Sequence, residues 1–137
     1  MKKFTAQWDD ITDRTVEKMK AVQSESIQDV ISLAQTPKAK GGRMPVDTGN
    51  LRNSLVSELN GALISEGADS FALVSAMMDL GDTSRFAWIA SYARRREFGF
   101  TGKDKLGRQH NEKGDHFAGS AADQWPSIVR KNAARLK

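Results

Sequence analysis

Residues 55–92 read LVSELNGALISEGADSFALVSAMMDLGDTSRFAWIASY, and the rhythm of this stretch decides the fold class. Four short apolar or alternating runs stand in it: LVSEL (55–59), ALIS (62–65), FALVSAMM (71–78) and FAWIASY (86–92). Turn-rich spacers separate them: Asn60-Gly61, EGADS (66–70) and DLGDTS (79–84). Short β-type runs broken by Gly, Asn, Asp and Ser predict an antiparallel meander of three or four strands. Asn60-Gly61 is the residue pair of a tight hairpin turn or a bulge.

Upstream the period is helical. Phe4, Trp8, Ile11, Thr15, Met19, Val22, Ser26, Val30 and Leu33 step by three or four residues, and no Pro or Gly intervenes before Pro37. This is the stripe of one long amphipathic helix. Thr15 and Ser26 interrupt the stripe, so the helix is expected to lie on its own domain with some intersubunit contact rather than in a free coiled coil. Downstream, SYARRREFG (91–99) reads as a short helix stopped by Gly99. Phe117, Ala121, Trp125, Ile128, Asn132 and Leu136 then mark a C-terminal helix, with Pro126 kinking or splitting it near Trp125. Two segments break the pattern. TPKAKGGRMP, within a mobile loop at about 36–46, has linker composition. The polar, glycine-rich 99–116 reads as a second long exposed loop. The expected fold is α+β: a long N-terminal helix and a C-terminal helix packed on a small antiparallel sheet of three or four strands, forming one domain over 1–137.

Composition narrows the function. With 137 residues the chain suits one domain with a modest core. It has no cysteine, which excludes disulfides, thiolate metal sites and a cysteine nucleophile. No window approaches the roughly 18 apolar residues of a membrane span. The start turns acidic at Asp9 and Asp10, unlike a signal peptide. A soluble product, made intracellularly, is expected. Residues 1–93 hold 10 Lys/Arg and 12 Asp/Glu, whereas residues 94–137 hold 11 and 5. A basic C-terminal third points to an anionic neighbour, either DNA or an acidic protein surface, or else to a solvated basic face without a partner.

Few constellations carry chemistry. His110 and His116, with Asp104, Glu112 and Asp115 nearby, lack the spacing of a helical ligand pair and a second cluster, so no metal or cofactor is expected. Asp47-Thr48-Gly49 has the residues of an aspartic-protease triplet. Here it follows a Lys/Gly/Pro linker and opens a helix, rather than following an apolar strand. Arg94, Arg95 and Arg96, joined by Lys103, Lys105 and Arg108, form a basic set able to face phosphates without reading sequence. No zinc finger or nucleic-acid-binding aromatic pair accompanies them.

Two motifs carry a resemblance. Pro-Val-Asp-Thr-Gly-x-Leu-x-x-Ser (45–54) precedes the β-runs, and Tyr-Ala-x-x-x-Glu-x-Gly (92–99) precedes a variable loop and a last helix opened by His116-Phe117. In this order they resemble the small neck or tail-completion proteins of long-tailed bacteriophages, a family related to minor tail protein Z of lambda-like phages. Gly99-Phe100-Thr101 stands where the family pattern has Gly-Thr. The resemblance implies a virion structural protein without catalytic activity, made in the host bacterial cytoplasm and placed at the head–tail junction. It implies a homo-oligomeric ring, with a hexamer expected. The ring would join the tail terminator or tail tube protein to the head-side connector or stopper, with DNA passing non-specifically through it. In that setting Asp47, Thr48, Gly49, Arg52, Tyr92, Glu97 and Gly99 are expected at subunit or partner interfaces. Glu97 would pair with a basic residue across a subunit boundary, and Asp47 or Thr48 would cap the short helix after the linker. The six basic residues would face the DNA channel or an acidic partner. The alternative from another class is a non-specific DNA-binding accessory protein.

Overall fold

The computed structural model describes residues 4–45 and 49–136. Helix α1, Phe4–Ala34, runs unbroken for 31 residues. A short 3₁₀ turn, Lys38–Lys40, and helix α2, Asn50–Asn53, lead into strand β1, Leu55–Leu59. Strand β2, Ala62–Glu66, helix α3, Ser70–Met77, and strand β3, Ser84–Trp88, follow. Helix α4, Ala93–Phe98, precedes a hairpin of β4, Gly99–Lys103, and β5, Gln109–Lys113. Helices α5, Phe117–Asp123, and α6, Trp125–Arg135, close the chain. The class is α+β, with one three-stranded antiparallel sheet in the order β2-β1-β3 and a separate two-stranded sheet.

β1 and β2 pair across Asn60-Gly61, both at positive φ (51° and 85°), which matches the right-handed strand twist of a two-residue hairpin. The register shifts between Ser57 and Glu58, a bulge in β1. On the other side Leu55 faces Trp88 and Leu59 faces Ser84.

The 71–78 run, expected as a strand, is helix α3. Its buried residues, Ser70, Phe71, Val74 and Ser75, recur at three and four rather than at two. A continuous apolar run leaves strand and buried helix indistinguishable by period, and the helix formers Ala72, Leu73, Ala76 and Met77 tip the balance. α3 packs over β1, where Ser57 and Ser70 hydroxyls meet at 2.7 Å in the interior.

Two further expectations change. The segment expected as a loop at 36–46 is tied at its base, with Lys38 N–H donating to Met44 C=O (3.1 Å) and Met44 N–H to Thr36 C=O (3.2 Å). Met44 is fully buried and anchors this turn. The segment 99–116 contains the β4–β5 hairpin. Its strands are polar because they pair with each other and cover no core, so no alternation marks them.

The core lies in two adjoining clusters. Ile27, Ile31, Leu55 and Phe71 form one, and Met44, Leu51, Ala93 and Phe117 the other. Each fully buried aliphatic contributes about 1.5–3 kcal/mol. Trp88 packs against both, edge-on to Phe117 at 5.3 Å. Its indole N–H donates to Gln35 Oε1 (3.1 Å), and Gln35 Nε2 donates to Ala68 C=O (2.8 Å), so the buried polar groups are satisfied.

The terminal helix splits as expected. α5 ends at Asp123, and Pro126 sits in the first turn of α6, where its missing N–H costs nothing. α6 docks on α1 through buried Asn132, whose Nδ2 donates to Ser26 Oγ (3.1 Å) and Asp29 Oδ2 (2.9 Å). The polar Ser26 in the α1 stripe is the partner of this asparagine. Among the described side chains of α1, the buried ones lie in its second half, at Ser26, Ile27, Ile31 and Ala34. Trp8 and Ile11 are 61% and 53% exposed.

Candidate interaction site

The second motif is locked to the start of the last helices by backbone contacts. Asp115 N–H donates to Arg96 C=O (2.6 Å) and His116 N–H to Glu97 C=O (3.1 Å). This brings residues 96–99 and 112–116 into close apposition, with no room for side chains between them. A Cβ on Gly99 would collide with the Glu112 carbonyl, and one on Gly114 with the Glu97 carbonyl. Gly99 also sits at φ 85°, a conformation that favours glycine.

Glu97 is buried here. Its carboxylate accepts from the N–H groups of Ala118 (2.9 Å) and Gly119 (2.8 Å), the first turn of α5. These are donors that no intrahelical partner satisfies, and the helix dipole favours a negative charge at this end. Both carboxylate oxygens are therefore engaged within the chain, and the glutamate holds α5 onto α4. His116 takes the left-handed conformation (φ 51°) immediately before α5 and turns the chain into it.

On the outer side of this junction lies a cleft of about 440 Å³. Pro45, Gly49, Asn50 and Leu51 line one wall, and Tyr92, Arg95, Arg96 and Glu112 the other. The two sequence motifs, some 40 residues apart, thus share one surface feature. Gly49 stands at φ 81° before α2. Asp47 and Thr48, expected to cap α2, lie outside the described residues. Arg52 is exposed on α2 and does not line the cleft.

The charges of the cleft wall are largely matched within the chain. Arg95 forks onto Glu112, with Nε and Nη2 each 2.8 Å from a carboxylate oxygen. Its guanidinium lies 4.4 Å over the Phe100 ring. This pair holds the Glu112 carboxyl below its ordinary range and raises the Arg95 guanidinium. Arg96 reaches Asp115 (3.5 Å), which also meets Lys38.

At the hairpin tip, Asp104 accepts from the Arg108 and Leu106 N–H groups (2.9 Å each), from Arg108 Nε (2.7 Å) and from His110 Nε2 (2.9 Å). The hydrogen bond from His110, then those from Arg108, push its carboxyl well below the usual range. Of the six basic residues selected from the sequence, Arg95, Arg96 and Arg108 are bound to neighbouring acids. Arg94, Lys103 and Lys105 are exposed. Arg94, Lys103, Lys105 and Arg108 do not line the cleft.

Among the described residues no three His, Cys, Asp or Glu side chains are placed to hold a metal ion, and no helix is long and apolar enough to cross a membrane. Sequence reasoning missed Glu112 and Asp115 as partners of the arginine run. Their signal, acids inside a basic third, is visible only once the hairpin folds them back onto α4. It also missed Gln35, a polar residue just past α1 whose role depends on Trp88, 53 residues away. Comparisons with family models, curated proteins and solved structures find no match to this chain.

Proposed function

We propose that this chain is a structural component of the head–tail junction of a tailed bacteriophage or prophage, acting by assembly and without bond chemistry. The observation that carries the reading is the convergence of the two motifs, 45–54 and 92–99, on one cleft of a tightly interlocked unit. Their resemblance to neck and tail-completion proteins supplies the function. The exposed apolar half of α1 adds support, because an amphipathic helix with a bare stripe gains stability from a partner.

In this role copies form a ring, with six the expected number, between the tail terminator or tube and the head-side connector. The cleft, with Tyr92 and Gly49, and the exposed Arg52 face neighbours. Arg94, Lys103 and Lys105 offer charge to DNA in the channel or to an acidic partner. The virion is the expected location. Electron microscopy of lysates from phage lacking the gene tests the role. Separate DNA-filled heads and unattached tails, with joining restored by supplying the protein, are the expected result. Intact virions in normal number would remove the joining role. Salt-dependent duplex binding by the free protein would then support the accessory DNA-binding alternative.

A further inference from the structure

The first half of α1 carries a bare apolar stripe, and the surface where α6 runs beside α1 is apolar as well. Along residues 7–18 the exposed stripe is Trp8, Ile11 and Val16, with Thr15 between them. Two hollows of about 430 and 420 Å³ lie along α1, the first starting at Thr15 and Lys18, where this half ends, and the second beside Val30, Ile31 and Ala34. Met19, Val22 and Val129 help line the first, and Phe86 and Ala122 the second, with Trp125 in the wall of both. Sharing Trp125 as a common wall, the two hollows make an apolar groove in two sections along α1.

We propose that the first half of α1 is an arm that docks into this groove on a second copy of the chain, arm into groove, around a ring. Charge supports this occupant. Residues 7–18 carry Asp9, Asp10, Asp13 and Glu17 against Arg14 and Lys18, whereas residues 19–136 hold 16 Lys/Arg against 13 Asp/Glu. An acidic arm is attracted to a basic body, and Arg130 stands exposed on α6 next to Val129. A symmetric arm-to-arm pair would bring the acids of both copies together and leave the groove bare. The arm rises about 18 Å over its twelve residues. Arm-into-groove is a heterologous contact, in which each copy gives one surface and receives the other. Such contacts close into rings when the rotation permits.

The inference rests on the ring proposed above, and the test separates the two. Full-length wild type, Ile11→Glu in the arm and Ala122→Glu in the groove are compared by native mass spectrometry, with circular dichroism as the folding control. Both positions are exposed. Trp8→Glu and Val129→Glu are second choices should either variant misfold. The wild type is expected to be oligomeric and each variant monomeric. An equimolar mixture of the two variants is expected to form 1:1 dimers that grow no further, because it pairs one intact arm with one intact groove. A monomeric wild type overturns the arm contact, as does an oligomeric Ala122→Glu beside a monomeric Ile11→Glu, or a mixture without dimers. Separated heads and tails together with a monomeric wild type would remove the arm contact and keep the joining role. Intact virions with dimers from the mixture would do the reverse.

Discussion

Glu97 is placed so that removing it harms the fold before it harms any partner. Its two oxygens accept the Ala118 and Gly119 N–H groups in a buried position. Glu97→Ala leaves both donors without an acceptor and removes a charge from the helix dipole. Hydrogen bonds to charged groups are worth about 1.5–3 kcal/mol, and we expect a loss of about 2–3 kcal/mol in urea denaturation of the monomeric chain. Glu97→Gln should recover part of this, since one amide oxygen still accepts. An unchanged midpoint for Glu97→Ala would show that the carboxylate is not the anchor of α5. Gly114 gives a second case at this scale. Gly114→Ala drives a methyl into the Glu97 carbonyl, and a cost of about 3 kcal/mol by the same assay is expected from a forced backbone shift.

At the scale of elements, the β4–β5 hairpin is held at its tip by one carboxylate. Asp104 is an acid whose folded-state pKa is depressed, through His110 and Arg108. Its contribution is therefore fully present above the ordinary aspartate pKa of about 3.9, and is lost as pH falls through the lower folded value. The tip should stay ordered at pH 4 and loosen only well below it. Asp104→Asn should loosen it already at neutral pH. Backbone chemical shifts of residues 103–109 against pH check both, and a tip that melts near pH 4–5 in the wild type would contradict the geometry.

Elements also show what the sequence made legible. Period and turn chemistry located α1, the Asn60-Gly61 hairpin and the break before Pro126, because each has a strong local signature. α3 was misread because buried apolar runs carry no period. The hairpin was missed because strands that cover no core need no alternation. The cleft was half legible. Its residues stood out in the two motifs, but their meeting depends on contacts between distant segments, and the acids that neutralise Arg95 and Arg96 come from the far side of the hairpin.

At the scale of the molecule, α1 is two helices in one. From Ser26 onward it is a beam against α3, α5 and α6. Over residues 7–18 no side chain is buried, and a helical stretch of that length is marginal in water. Thr12 and Thr15 turn their hydroxyls back onto the Trp8 and Ile11 carbonyls, which weakens it slightly. Hydrogen exchange of the monomeric chain should therefore show fast exchange over 7–18 and slow exchange over 26–34. Protection over 7–18 should appear when the chain self-associates. Uniform protection along α1 in a monomer would mean that the first half is already covered.

The Gly99–Gly114 apposition has a consequence for how such a chain can change. Two backbones pressed together at that point close the hairpin off at its root, as a clasp closes a loop of thread. Beyond the clasp, the tip residues 104–108 touch neither hydrophobic cluster. The tip's length and charge can therefore change while the body keeps its shape.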